Sequence, residues 1–462
     1  MEEPIKEYAE YCLNCPAKPC SQKGCPLNND IPAFIHQVKQ ENIKEAYKIL
    51  SNTTVLGSVC GRICPHMKQC QGSCIRGIKG EPVNIGEIEA YVFDEALENE
   101  WYREEKQTNE LEGKKVAVVG GGPAGLTCAS FLARKGAKIT IYEKYNELGG
   151  ILAHGIPEFR LEKETLKSTV ESILNAGSYS SEQMEDGEDQ KAQVTTESTN
   201  KIEKISTQEA LGQNEEANNS KIEVRYGMEL GKNFNLTDLE NSFDAIFLGF
   251  GANVSAKMNI EGEELEGVYG GNRLLERGEH PSYKGKKVAV IGGGNVAMDC
   301  SRTINRLGAD KVYVIYRRAE KQMPAEVKEI EDAKREGVEF LFQNNIVKIL
   351  GDKKVEKIEC IKTQLVKKEG ETREVPVNIE NSNYMLDMDY VVMAVGSEPE
   401  KELVKGLGLE LNKWGCINVD EKHRTSREKI FAGGDLAGDR ATVAWAARAG
   451  RDAAVAIEEY LK

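Results

Sequence analysis

The sequence predicts an α/β protein with two nucleotide-binding units behind a small helical domain, and three observations carry that prediction. KKVAVVGGGPAGLTCASFLARKGAKITIYEK at 114–144 reads as a buried strand, a glycine turn, a helix and a second strand. KKVAVIGGGNVAMDCSRTINRLGADKVYVIYRR at 286–318 repeats the pattern about 170 residues later. Eight of the twelve cysteines fall before residue 75, among stretches of helical periodicity.

At 462 residues the chain has room for about three domains of roughly 150 residues each. A formal charge of -14 argues against nucleic acid or an anionic membrane as the main partner, because phosphate surfaces need concentrated Lys and Arg. The start, MEEPIKEYAEYC, lacks the basic region and apolar run of a secretory signal, and no run approaches the length of a membrane span. A cytoplasmic protein is therefore expected. In that compartment clustered cysteines bind metal or do redox chemistry more often than they form structural disulfides.

In the N-terminal part, residues 27–52 carry apolar residues at helical spacing after an Asp-Ile-Pro start, which predicts helix onset at Asp30. A second helical pattern, GEIEAYVFDEALENEWYREE, follows the later cysteines, so residues 1–108 read as one helical domain. Between the two glycine motifs, residues 178–221 hold ten acidic and four basic residues and few apolar ones. That composition predicts a disordered surface insertion.

The cysteines run Cys12-x2-Cys15-x4-Cys20-x4-Cys25-Pro, then Cys60-x3-Cys64-Pro-x5-Cys70-x3-Cys74. Zinc usually takes paired CxxC knuckles, four ligands to a tetrahedral ion. Unequal spacings and a proline within each group of four are closer to thiolate ligation of cubane iron-sulfur clusters, with zinc and redox disulfides as the rivals. Cys128, Cys300, Cys360 and Cys416 are isolated, so no dithiol pair accompanies the second glycine motif. The five histidines lack metal-ligand spacing, and His154, the one closest to a cofactor motif, reads as a packing residue.

Gly120-x-Gly122-Pro123-Ala124-Gly125 lies between strand and helix, where glycines let a pyrophosphate approach the helix N-terminus. Glu143 ends the next strand at the offset where a carboxylate accepts ribose hydroxyls. The second copy, Gly292-x-Gly294-Asn295-Val296-Ala297, puts alanine for the third glycine, and its second strand ends in Arg317 and Arg318 instead of a carboxylate. Arginine there can pair with the 2′-phosphate of NADP, which favours NADPH over NADH. Near the C-terminus, IFAGGDLAGDRATVAWAARAGRDAAVAI gives a strand ending in Gly433-Gly434-Asp435 and then a small-residue helix. Asp435 suits a sugar-like hydroxyl, and the helix start near Ala441 and Thr442 could set backbone dipoles beside a flavin.

In their order these pieces resemble the small (beta) subunit of NADPH-dependent glutamate synthase and its flavoprotein relatives. Those relatives include the large subunit of NADH-dependent ferredoxin:NADP oxidoreductase, sulfide dehydrogenase, and the N-terminal half of dihydropyrimidine dehydrogenase. The resemblance is carried by CLNCPAKPC, VCGRICP, PVNIGEIEAYV, VAVVGGGPAGL, LGGILAHGIPEFRL, VAVIGGGNVAMDC, VIYRRAEKQMPA and FAGGD, and it spans nearly the whole chain outside 178–221.

The resemblance implies an FAD domain at 111–255 and 396–462, with an NADPH domain at 256–395 inserted in it. It also implies cofactor contacts from Gly149, Gly150 and Arg160 in LGGILAHGIPEFRL, and from Gly434 and Asp435. Cys12, Cys15, Cys20 and Cys74 would hold one [4Fe-4S] cluster, and Cys25, Cys64 and Cys70 the other. The fourth ligand of the second is Cys60 or Glu89. Two departures from the family pattern are an extra residue between Cys20 and Cys25 and a histidine at 154, where an aromatic is common.

FAD joins two-electron to one-electron chemistry, so the expected path runs from NADPH to FAD and then singly through two clusters. Hydride transfer needs no acid–base residue, and no catalytic side chain is assigned. The leading expectation is the electron-input subunit of a glutamate synthase, in a hetero-oligomer with a large subunit that forms glutamate. A glutamine amidotransferase would be expected to expose cysteine after Met removal, and residue 2 is Glu, so the glutamine step is expected on another chain. The alternatives are a ferredoxin:NADP oxidoreductase subunit, simple or electron-bifurcating, with a ferredoxin or ferredoxin-reductase-type partner, and a sulfide dehydrogenase-like enzyme. A non-catalytic redox sensor is the remaining class, disfavoured by the intact glycine motifs and the Tyr316-Arg317-Arg318 end.

Overall fold

The computed structural model describes residues 3–177, 221–367 and 374–462. The stretch expected to be a disordered insertion lies outside the described residues except for Lys221. The N-terminal region is helical: α1 (Glu3–Glu10), α2 (Ile31–Lys39), α3 (Ile43–Ser51), α4 (Gly57–Ile63) and α5 (Ile85–Glu98), joined by the cysteine-bearing loops. Asp30 caps α2, its carboxylate accepting the Ala33 amide at 3.3 Å. The helical pattern over 27–52 is two helices, because the polar Gln40-Glu41-Asn42 segment turns through a left-handed Glu41 at φ 59°.

The first glycine unit follows as β1 (Lys115–Val119), α6 (Pro123–Arg134) and β2 (Lys138–Tyr142), then α7 (Ile151–His154), α8 (Lys163–Leu174), β3 (Ile222–Arg225), α9 (Leu236–Ser242) and β4 (Ala245–Leu248). After the short β5 (Val254–Ser255) the second unit begins with β6 (Val268–Gly270), α10 (Gly271–Arg277), β7 (Lys287–Ile291), α11 (Asn295–Arg306), β8 (Lys311–Tyr316), α12 (Val327–Arg335) and β9 (Glu339–Phe342). Next come β10 (Asn344–Leu350), β11 (Lys357–Val366), β12 (Val375–Asn378), β13 (Tyr384–Asp387) and β14 (Tyr390–Met393). The chain ends with β15 (Ser397–Glu398), α13 (Lys401–Gly406), β16 (Ile430–Ala432) and α14 (Val443–Leu461).

Two parallel five-stranded sheets result, ordered β16-β4-β1-β2-β3 and β6-β14-β7-β8-β9. The chain leaves the first sheet after β4, builds the second, and returns to add β16, so the second unit is inserted in the first. Its exit and return pair as the antiparallel ribbon β5–β15. The central strands KVAVV and KVAVI are buried after their first residue, as expected for parallel strands covered on both faces. A small antiparallel sheet of β10, β11, β12 and β13 sits on the second unit, and the strand–helix periodicity of the glycine motifs gave no sign of it.

Helical domain and first unit share one apolar core. Leu27, Val55, Leu56 and Val59 are in the same buried cluster as Val116, Leu126 and Ile457. Arg448 and Arg451 of α14 add donors to the carbonyls of Pro26 (3.1 Å) and Leu27 (2.7 Å). The cysteine loops are thereby held beside the C-terminal ends of the first sheet's strands, where doubly wound folds place their ligands.

Candidate cofactor cleft and thiol cages

A cavity of about 1210 Å³ opens at those strand ends, between the two units. From the first unit it is lined by Gly120, Gly122, Pro123, Ala124, Glu143, Gly150 and Arg160. The C-terminal return adds Gly434, Asp435, Ala441 and Thr442, and the second unit adds Asn295 and Val296. Thirteen residues picked from distant motifs thus face one space.

Each glycine turn has a local reason. Gly120 is at φ 98°, and a Cβ there would sit 2.7 Å from the Phe250 backbone. Gly125 does not line the cavity: a Cβ on it would fall 1.9 Å from the Gly120 carbonyl oxygen, so the third glycine lets α6 pack against the turn. Gly149 is likewise behind the wall, its amide donating to the Gly121 carbonyl at 2.8 Å. In the second unit Gly292 is held at φ 142° against the Ala394 carbonyl, Gly294 caps α11, and Ala297 is fully buried.

Glu143 accepts the Gly121 amide at 2.7 Å and the Tyr145 amide at 2.9 Å, so the end of β2 ties down the glycine turn. Burial pushes its carboxyl above the ordinary range. Asp435 is pushed up to about 6 by burial and by the neighbouring Asp439, while the Ala441 amide opposes the shift. Among the described residues its buried Oδ1 has no hydrogen-bond partner, nor has Oδ2 of Asp439. An orphaned acceptor costs free energy unless a donor reaches it, and a ribityl or ribose hydroxyl is such a donor. Together with turns that admit no Cβ, this lining fits a flavin dinucleotide.

Arg317 and Arg318 lie outside this cavity, at the end of β8. Arg317 is exposed, and its carbonyl accepts the Thr363 hydroxyl at 2.8 Å. Arg318 has a buried Nε without a partner among the described residues. The Tyr316 ring covers Gly293, with its Cδ2 2.6 Å from where a Cβ would be, so β8 closes over the second turn. His154 lines the cavity as well, its ring 4.1 Å from that of Tyr145 and its Nδ1 3.6 Å from Glu147. Burial lowers its pKa, against the pull of Glu147 and Glu143.

The cysteines form two groups. Cys12, Cys15, Cys20 and Cys74 line one small cavity, floored by Ile31, Ile35, Val83 and Ile85. Burial pushes Cys20 up to about 11. Cys25, Cys60, Cys64, Cys70 and Glu89 interact electrostatically with one another in a second cage. Cys60 on α4 and Cys64, which caps its C-terminus, share a hydrogen bond. Burial drives Cys25 up to about 12 and Glu89 to about 8, and Glu89 keeps one donor, the Asn29 amide at 3.1 Å. So many acidic groups crowded out of water suit a cationic group at their centre. Among the described residues no three Cys, His, Asp or Glu side chains converge as ligands of one ion would. A four-iron cube takes one thiolate per iron, so four thiols set around a small cavity, as Cys12, Cys15, Cys20 and Cys74 are, suit such a cluster.

The second cage abuts the large cavity. Ile63 and Pro65, flanking Cys64, line that cavity, and the Ala444 amide at the start of α14 donates to Cys64. The sequence reading named Arg160 only as a cofactor contact and did not foresee the side-chain contacts that join the units here. Arg160 is paired with Asp299 and Glu329, and Lys68 Nζ donates to the carbonyls of Met323 (3.1 Å), Pro324 (2.6 Å) and Ala325 (2.6 Å). The available signal was a charged residue, Asp299, four positions into α11 on a helix face that must be buried.

Comparison with known proteins agrees with this geometry. Residues 114–456 match the model of the pyridine nucleotide-disulphide oxidoreductase family, and residues 1–101 that of dihydropyrimidine dehydrogenase domain II, 4Fe-4S cluster. The glutamate synthase [NADPH] small chain of Escherichia coli (strain K12) is 33% identical, over 100% of this chain and 92% of its own length. The NADPH-Fe(3+) oxidoreductase subunit beta of Geobacter sulfurreducens is 32% identical, over 86% of this chain and 54% of its own. Among solved structures, Mycobacterium tuberculosis FprA in complex with NADPH aligns with a TM-score of 0.57 at 17% identity, covering 75% of this chain and 84% of FprA. The thioredoxin reductase of T. acidophilum gives 0.51 at 19%, covering 75% and 98%. Both support the fold. With the family model spanning most of the chain and full-length relatives at 33% identity, this chain belongs to the pyridine nucleotide-disulphide oxidoreductases, in the branch that contains the glutamate synthase small chains.

Proposed function

We propose that this chain is an NADPH-dependent FAD and iron-sulfur oxidoreductase, the electron-input small subunit of a glutamate synthase. The observation that carries this reading is the contact between the second thiol cage and the flavin-type cavity through Ile63, Cys64, Pro65 and Ala444. When bound, the nicotinamide supplies electrons in pairs, the flavin divides them, and the clusters pass them singly.

The chain's own residues provide the holding and the insulation. Gly120, Gly122 and Gly150 admit the dinucleotide to the start of α6, Glu143 accepts its ribose hydroxyls, and Asp435 takes the ribityl end. Arg317 and Arg318 select the 2′-phosphate on the nicotinamide side. Cys12, Cys15, Cys20 and Cys74 hold an outer [4Fe-4S] cluster. Cys25, Cys64 and Cys70 hold an inner one, completed by Cys60 or Glu89. The assignment corresponds to a cluster domain at 1–108, an FAD domain at 111–255 and 396–462, and an NADPH domain at 256–395. No described helix is long and apolar enough to cross a membrane. The reading assigns the chain to the cytoplasm, in a hetero-oligomer with a large subunit.

A second reading, a ferredoxin:NADP oxidoreductase subunit, is favoured by the spread of the relatives. Chains named as beta subunits of a formate dehydrogenase and of an iron(III) oxidoreductase match at 32–33% identity, as the glutamate synthase small chains do. Anaerobic affinity purification from the native cell separates the two. A stoichiometric large chain with an N-terminal-cysteine amidotransferase supports the first, and a small flavin and [2Fe-2S] subunit overturns it in favour of the second.

A further inference from the structure

We propose that Arg160 is a positioning residue that fixes the start of α11 against the flavin-type cavity through its ion pair with Asp299, so that the nicotinamide is presented without rotation of one unit against the other. The inference rests on the NADPH–FAD reading. Arg160 comes from the first unit, in the segment between α7 and α8. Its Nη1 is 2.9 Å from each oxygen of Asp299, and its Nε is 3.2 Å from Glu329 Oε1. Asp299 and Glu329 belong to α11 and α12 of the second unit.

The pair is nearly dry, with the Arg160 and Asp299 side chains 7% and 5% exposed. Arg302, also paired with Glu329, stacks on Phe159 with its guanidinium carbon 4.5 Å from the ring centroid. Asp299 is one turn along α11 from Asn295, so the two share a face. Asn295 in turn holds the Glu326 amide at 2.9 Å. Arg160, Asn295 and Asp299 all line the cavity. Sliding α11 relative to the first unit would leave two buried charges without partners, which is strongly unfavourable. A buried pair contributes little net stability over an apolar one, so its consequence here is geometric. Transfer between bound groups needs an approach of about 3–3.5 Å, and a misplacement of about 1 Å can cost roughly a hundredfold in rate.

The test compares wild type, Arg160→Met, Asp299→Leu and the double variant, each prepared anaerobically with its cofactors. Flavin content and NADP+ affinity are measured first. Stopped-flow absorbance then follows flavin reduction by NADPH, and the long-wavelength charge-transfer band of the reduced protein with NADP+ reports nicotinamide–flavin stacking. Each single variant is expected to keep its flavin and bind NADP+ near normally, to reduce about a hundredfold more slowly, and to lose the band. The double variant is expected to lose no more than either single one, because the two residues act through one pair. Wild-type rate and band in Arg160→Met, or losses that multiply in the double variant, would overturn the inference while leaving the functional reading intact. Should Arg160→Met fail to retain flavin, Asp299→Leu alone decides by the same criteria. A wild-type protein that NADPH cannot reduce would sink both.

Discussion

Gly450→Ala in α14 is a test in which two known effects oppose each other and the structure decides between them. In the middle of a helix, alanine is better than glycine by about 1 kcal/mol, so helix propensity predicts a more stable protein. Packing predicts the reverse. A Cβ at Gly450 would lie 2.1 Å from the Ala124 carbonyl oxygen and 2.9 Å from its carbon, and both are backbone atoms of α6 that no rotamer change can move. Clearing even a 3.0 Å contact requires the helices to part by about 0.9 Å. Overpacking of a rigid site costs about 1–3 kcal/mol, and a backbone-to-backbone clash belongs at the upper end. The net is a loss of about 2 kcal/mol, roughly a thirtyfold shift in equilibrium. Both helices begin at the cavity, with Ala124 on one and Thr442 capping the other, so flavin affinity should fall with stability. FAD titration of the apoprotein and urea unfolding followed by flavin release measure the two. A Gly450→Ala protein that is more stable and binds FAD unchanged would refute the packing argument.

Other expectations follow from single contacts. Glu143→Ala leaves the Gly121 and Tyr145 amides without their acceptor, and a loss of about 1–3 kcal/mol in FAD affinity is expected by titration; unchanged affinity would remove Glu143 from the site. Replacing Arg317 and Arg318 by alanine should raise the KM for NADPH about 10- to 100-fold and leave that for NADH unchanged, and equal effects on both would reject the 2′-phosphate assignment. Cys20→Ser and Cys64→Ser should each lose about half the bound iron and Cys416→Ser none, so full iron in either of the first two would discount that cage. Burial pushes Asp299 up to about 6 from an ordinary 3.8. Its native state therefore binds a proton more readily than the unfolded chain, and the associated stability, about 3 kcal/mol at most, is present below about pH 4 and lost as pH rises through 6. Asp299→Asn should flatten that part of the urea-midpoint profile, and a slope equal to wild type would refute the assignment.

Local structure is legible in the chain alone. Gly120 and Gly292 announce turns because only glycine accepts their left-handed angles and the backbone approaching them. Uninterrupted Val-Ala-Val strands announce parallel pairing, and Asp30 before Ile-Pro announces a capped helix. Cysteine spacing marked a thiol-ligated group, because eight cysteines in two short runs are far denser than packing requires.

Packing of the units supplied what spacing cannot encode. It sorted the thiols, bringing Cys74 to Cys12, Cys15 and Cys20 across more than fifty residues, and Glu89 to Cys25. It also paired Arg160, which lines the cavity as a cofactor contact would, with Asp299 and Glu329 of the second unit. A charged side chain in a motif has the same one-letter code whether it meets a phosphate or a carboxylate from another unit. Which it meets depends on how the two sheets are set against each other, and that follows from the summed burial of their shared faces and not from any local pattern.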